Sequence, residues 1–292
     1  MDQANRLRDL FQVRTEAAKP EMQLAARVIT VTSGKGGVGK TNCSVNLAIQ
    51  MRRRGFRVVI IDADFGLANI EVLLGIVPRY SLADVLNGSR TMEEVLTEGP
   101  EGVRFISGGS GLRELANVSD KQMDFLMKSF TALDTLADVI LIDTGAGISR
   151  SVVNFIRASS EAIIVTTPEP TSVTDAYALV KTVVEEATEP PTFKIVVNRT
   201  EEENEGSEIY EKLNKVAYRF LDVQLEYLGA IPYDRDLVRA VKRQTPVTLA
   251  YPIAACSRAI GRVCDRLLDI KEERQPRSAG IFSFVKRLVN IR

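Results

Sequence analysis

With 292 residues, 45% of them hydrophobic, the chain can bury a large core, and a prior of ~150 residues per domain would allow two domains. Its 38 basic residues balance 38 acidic ones, so no global field favours nucleic acid or a membrane, and any such affinity must be local. No apolar run approaches the ~20 residues of a membrane span, and the opening "MDQANRLRDLF" lacks the apolar stretch of a signal peptide, so a cytoplasmic protein is expected. Cys43, Cys256 and Cys264 show no C-x-x-C spacing and there is no histidine to join them, which leaves them as small buried hydrophobes.

In chain order, residues 2–14 place Leu7, Leu10 and Phe11 on a short helical stripe that stops at Arg14, and a polar connector containing Pro20 follows. Residues 1–20 therefore read as an appendage. From 21 to 270, apolar runs at 27–33, 57–64, 103–109, 138–144, 161–168, 193–198 and 226–232 have the near-continuous hydrophobicity of interior strands in a parallel sheet. Helical patterns at 40–54, 120–136, 149–158, 172–187, 207–221, 234–243 and 253–270 alternate with them. That alternation, unbroken by a linker, predicts one α/β domain: a doubly wound, mostly parallel sheet with helices on both faces and ligands at the carboxyl ends of the strands. Residues 271–292 form a second appendage, the charged linker "KEERQPRS" and an apolar-basic tail.

The stretch "TSGKGGVGKT" (32–41) fits G-x-x-x-x-G-K-S/T between a predicted strand and a predicted helix, the context a phosphate-binding loop requires. Backbone N–H groups from Gly34 through Gly36, Gly37, Val38 and Gly39 to Asn42 would surround phosphate oxygens, Lys40 would reach the β- and γ-phosphates, and the Thr41 hydroxyl would ligate Mg²⁺. Two further strands end in aspartates, "VVIIDAD" with Asp62 and Asp64 and "VILIDT" with Asp143. Beside a sound phosphate loop, these suit a site in which Asp143 and Asp62 manage the metal while Asp64 orients the attacking water.

"KGGVGKT" with its extra lysine Lys35, "DADFGLAN", "DTGAGIS", "VVNRT" and "IPYD", in this order, resemble the deviant Walker A ATPases of the MinD/ParA class. The resemblance implies ATP and Mg²⁺ as ligands and a homodimer closed around two nucleotides. In it Lys35 crosses to the partner's phosphates and acts in catalysis with Lys40 and Asp64. It also makes Asn198 an adenine contact, helped by the loop of Pro232, Tyr233 and Asp234. From the residues alone, Asn198 could equally cap a turn and Pro232 end a strand. Arg199 is a nucleotide or interface contact, without a choice between them. The segment departs from the D-x-P-A-G of MinD proper by Gly145 in place of proline, which bears on its switch behaviour.

The appendages discriminate within the class. As a helix, 281–292 aligns Ile281, Phe284, Val285 and Leu288, with Phe282 and Val289 on the flanks and Lys286 and Arg287 largely opposite. Residues 271–292 carry six basic and two acidic side chains, a net of +4. Such a helix suits an anionic membrane surface, two copies in a dimer binding through avidity, and an ordinary docked terminal helix has the same pattern. "DQANRLRDLF" resembles the D-Q-A-x-x-L-R signature of the flagellar FlhG (YlxH/FleN) family. There the segment activates the signal-recognition-type GTPase FlhF, and Gln3 would orient water in the partner's site. Folding back of residues 2–14 on their own domain is the competing reading.

The resulting expectation is a slow ATPase switch controlling flagellar number or placement, peripherally bound to the cytoplasmic membrane in its ATP state, with flagellar switch-ring proteins as further partners. A cell-division MinD and a ParA-type partition ATPase are the alternatives. Zero net charge speaks against DNA binding, no motif supplies the acceptor pocket of a metabolic ligase or kinase, and an iron-sulfur carrier lacks its C-x-x-C pair.

Overall fold

The computed structural model describes residues 25–64, 69–108, 129–269 and 280–290. Eight strands form one sheet: β1 (Arg27–Ser33), β2 (Val58–Ala63), β3 (Thr97–Glu98), β4 (Arg104–Ile106), β5 (Val139–Ala146), β6 (Glu161–Thr166), β7 (Thr192–Thr200) and β8 (Glu226–Pro232). Their order is β3-β4-β2-β5-β1-β6-β7-β8, parallel except for the β3–β4 pair. All seven residues of β1 and all six of β2 and of β6 are buried, as strands covered on both faces must be.

The seven strands expected from the sequence are present. β8, read as interior, lies at the sheet edge instead, and its partial burial fits that place. β3 was not anticipated, because two residues, Thr97 and Glu98, carry no periodicity.

The helices are α1 (Lys40–Arg53), α2 (Asn69–Leu74), α3 (Leu82–Leu86), α4 (Arg150–Ala158), α5 (Pro170–Glu186), α6 (Glu205–Leu221), α7 (Arg235–Lys242), α8 (Val247–Ala250), α9 (Ala255–Asp269) and α10 (Gly280–Asn290). Residues 129–136 are helical as well. One apolar layer joins α1 and α9 to one face of the sheet through Leu47, Ile49, Ile260 and Val263. Two layers cover the other face: α5 and α6 pack over β6 and β7, and α10 packs beside α4 over β1 and β5. Missing from the sequence reading were α2, α3 and α8, each too short to show a helical period.

At the starting ends of the strands, away from the phosphate loop, Arg27, Glu161 and Lys194 form a buried ionic row that reaches Glu226. Arg27 Nη1 also donates to the Leu267 carbonyl at 2.9 Å, which seats the end of α9. Lys194 is wholly buried, so the row must stay paired for the strands to hold their charges.

The tail helix sits on the domain. Ile281, Phe284 and Val285 are buried, Leu288 and Val289 pack against the same layer, and Phe282 and Lys286 face outward. The apolar stripe offered for a membrane is thus turned inward here, where it meets helix α4 and strand β1. Asp134 Oδ1 accepts both the Ala26 and the Ile281 backbone N–H, each at 3.1 Å, so one carboxylate ties the start of β1 to the first turn of α10. Residues 1–24, with Leu7, Leu10, Phe11 and Gln3, and the linker 271–278 lie outside the described residues.

Candidate functional site: the phosphate loop and its carboxylates

Strand β1 ends at Ser33, six residues turn through Gly34–Gly39, and α1 begins at Lys40. Gly34 touches α5 so closely that a Cβ would stand 2.3 Å from the Asp175 carbonyl carbon and oxygen. Gly39 has φ +92°, and a Cβ there would meet Asn198 Nδ2 at 2.4 Å. Only glycine fits either position. Around the Gly36 and Gly37 positions there is open space, and no side chain caps the N-terminus of α1. An open crest above an uncapped helix N-terminus is an anion cradle.

Beneath it lies Asp143, completely buried on β5. Its Oδ1 accepts from Lys40 Nζ at 3.1 Å and from Ser44 Oγ at 2.8 Å, and its Oδ2 from Thr41 Oγ1 at 2.8 Å. Asp62 is its register partner on β2 and is also buried. The Asp62 carboxyl is pushed up to about 7 by burial and then by the charge of Asp143, against the pull of N–H donors from Asp64 and Ile70 and of the Lys40 charge. Asp64, at the end of β2, is half-buried and accepts from Asn69 Nδ2 at 3.0 Å. A Cβ at Gly145 would lie 3.6 Å from Asp64 Oδ1, so the Asp143 strand and the Asp64 carboxylate adjoin at the mouth of the site.

Lys35 stands apart from this cluster. Its Nζ lies 2.8 Å from Glu169 Oε2 and 3.0 Å from Thr171 Oγ1, at the start of α5. The Glu169 carboxyl is held below its usual range by the Lys35 hydrogen bond and charge. On the other flank, Asn198 Nδ2 donates to the Val38 carbonyl at 2.7 Å, while its buried Oδ1 has no partner. One half of this amide props the loop, and the other is an acceptor awaiting a donor. Arg199 is exposed with φ +61°, a left-handed conformation uncommon for an arginine.

Pro232 pairs with Thr200, and the Tyr233 N–H donates to the Thr200 carbonyl at 2.9 Å, leaving the Tyr233 ring exposed. Asp234 was expected near adenine. In this structure its Oδ1 caps α7 through the Asp236 N–H at 2.9 Å, and its Oδ2 accepts from the Cys256 N–H at 3.2 Å. Both oxygens thus accept from the first turns of α7 and α9. Three side chains of the arrangement escaped the sequence reading: Ser44, Glu169 and Thr171. Ser44 alone left a signal, one helical turn beyond Lys40 on the same face.

The parts of a nucleotide site are thus in place, and comparison with known proteins agrees. Residues 25–268 match the family model described as "ParA: NUBPL iron-transfer P-loop NTPase". The antiactivator FleN of Pseudomonas aeruginosa is 43% identical, over 90% of this chain and 93% of that protein. The flagellum site-determining protein YlxH of Helicobacter pylori is 34% identical, over 99% of this chain and 98% of its own length. The chain belongs to the MinD/ParA class of P-loop ATPases, in the family of FleN and YlxH.

Members of this class share its sheet. The Pyrococcus horikoshii septum site-determining protein MinD, solved with Mg-ADP, superposes with a TM-score of 0.65 at 25% identity, covering 85% of this chain and 98% of that one. The resemblance read from the motifs therefore holds for the family, the fold and the ATPase activity.

Proposed function

We propose that this ATPase is a dimerising, membrane-associated switch that regulates flagellar number or placement. The observation that carries the reading is 43% identity to the antiactivator FleN over nearly the whole chain, joined to an assembled Lys40–Asp143–Thr41 cluster under an open phosphate loop. The Thr41 hydroxyl and the buried carboxylates of Asp62 and Asp143 are hard oxygen ligands, a set that fits Mg²⁺. Thr41 and Asp143 would hold that ion with Asp62 behind them, and when bound it neutralises charge on the transferred phosphoryl group.

The remaining chemistry belongs to the side chains. Lys40 leaves Asp143 for the β- and γ-phosphates, the more concentrated negative charge. Asp64 orients the attacking water, and hydrolysis yields ADP and phosphate. Lys35 exchanges Glu169 for the phosphates of the partner subunit, which makes closure of the dimer and completion of the site one event. The unpartnered Asn198 Oδ1 suits the exocyclic amine of adenine. Iron transfer is not the chemistry of this site: all three cysteines are buried and their thiols are raised by burial.

The tail fits the same cycle. Helix α10 rests on α4, which directly follows the Asp143 strand, so a rearrangement there on ATP binding would release Phe284 and its neighbours toward anionic lipid. The N-terminal signature supplies the activation of FlhF through Gln3. Testing the flagellar assignment requires the GTPase rate of the cognate FlhF with and without a peptide of residues 1–20, and with its Gln3→Ala variant. Stimulation that vanishes in the variant supports the reading. Absence of stimulation by the native peptide removes FlhF activation and leaves a MinD-like ATPase with another client.

A further inference from the structure

Ser44 is wholly buried on α1, one turn past Lys40, and no motif requires a hydroxyl there. Its single proton has two acceptors within reach: the Asp143 Oδ1 carboxylate at 2.8 Å and the Lys40 carbonyl at 3.2 Å. A mid-helix serine ordinarily bonds back to the carbonyl four residues earlier, but the nearer and charged acceptor forms the stronger bond.

Of the three side-chain donors on Asp143, two are those that ligand binding recruits. Lys40 is drawn to phosphate and Thr41 to the metal, which strips the fully buried carboxylate of both. Ser44 is then the one of the three that can stay. Because it holds Oδ1, it leaves Oδ2 to face the Thr41 hydroxyl.

We infer that Ser44 is a positioning residue for the Mg²⁺ shell: its hydroxyl anchors Asp143 Oδ1 once Lys40 and Thr41 turn to the ligands, and so keeps Oδ2 aimed at the metal position. The inference rests on the assignment of Thr41 and Asp143 to that shell.

The test measures binding of a fluorescent ADP analogue with Mg²⁺ and with EDTA, alongside kcat and KM for ATP. The proteins are wild type, Ser44→Ala and Ser44→Thr. In Ser44→Ala, affinity in EDTA should stay within about twofold of wild type, the gain on adding Mg²⁺ should shrink about tenfold, and kcat should fall more than KM rises. Ser44→Thr, which keeps the hydroxyl, should restore the Mg²⁺ gain. Should Ser44→Ala fail to fold, Ser44→Cys keeps the shape with a weak donor, and the same split is expected of it.

An unchanged Mg²⁺ gain in Ser44→Ala, or in Ser44→Cys where that variant stands in for it, would overturn the role and leave Ser44 as a helix back-bonder. So would an equal loss of affinity in Mg²⁺ and in EDTA, which marks a deformed loop. A wild-type protein whose affinity ignores Mg²⁺ would instead refute the metal-shell assignment itself.

Discussion

The rings of Phe155 and Phe284 stack with centroids 6.1 Å apart and planes inclined by 17°. This contact joins the tail helix to the helix that follows the Asp143 strand. It makes Phe284 a poor choice for testing membrane contact, because any change there also alters docking on the domain.

Asp134→Ala separates the two effects. Removing its carboxylate leaves the Ala26 and Ile281 N–H groups without their acceptor and should weaken docking of α10 by about 1–2 kcal/mol, while leaving every apolar side chain of the helix intact. Co-sedimentation with anionic vesicles in the absence of ATP should rise several-fold. Unaltered sedimentation would show that docking of α10 does not limit membrane contact.

Lys40→Ala should abolish ATP binding, and it carries a second consequence that the structure adds. The Lys40–Asp143 pair is buried on both sides, so the variant leaves a buried carboxylate without its cation and should lose about 3 kcal/mol of stability even without nucleotide. Urea unfolding of the nucleotide-free protein checks this. A midpoint equal to wild type would mean that Asp143 is neutralised by other means.

Asp64→Ala should bind ATP with near-native affinity and hydrolyse it about a hundredfold or more slowly, so that the ATP-bound dimer accumulates in size-exclusion chromatography. The side chain is half-buried at the mouth and accepts its hydrogen bond from Asn69, not from Lys40 or Thr41, so the phosphate cradle should survive its loss. Normal turnover by a monomer would remove Asp64 from the mechanism.

The thiols offer a pH-dependent test. Burial pushes Cys43 and Cys256 up to about 12 and Cys264 to about 11, so all three remain protonated at pH 8, where an exposed cysteine is already partly thiolate. Native protein should take up alkylating reagent only as it unfolds, and the rate should rise little between pH 7 and 9. Rapid stoichiometric labelling of folded protein at pH 8 would contradict the burial.

Much of this molecule was legible before its structure. Central strands such as β1 and β5 announce themselves because both faces are covered and most of their residues are apolar, and the phosphate loop does so because backbone contact with phosphate admits few residues besides glycine. The strand-end positions of Asp62, Asp64 and Asp143 follow from the same pattern, since a strand that runs apolar to its carboxyl end delivers its next side chain to the ligand edge. Local sequence is sufficient wherever the physical requirement is itself local.

What only the tertiary structure decided depends on residues far apart in the chain. Periodicity could not say whether the stripe of Ile281, Phe284 and Val285 meets lipid or protein, because both demand the same apolar face; packing against Phe155 settles it for this conformation. Nor could it assign Ser44 to Asp143 or Lys35 to Glu169, partners 99 and 134 residues distant. Such pairs exist only because the sheet order brings β5 beside β1 and the start of α5 beside the phosphate loop, and hydrogen bonds form between neighbours in space whatever their separation along the chain.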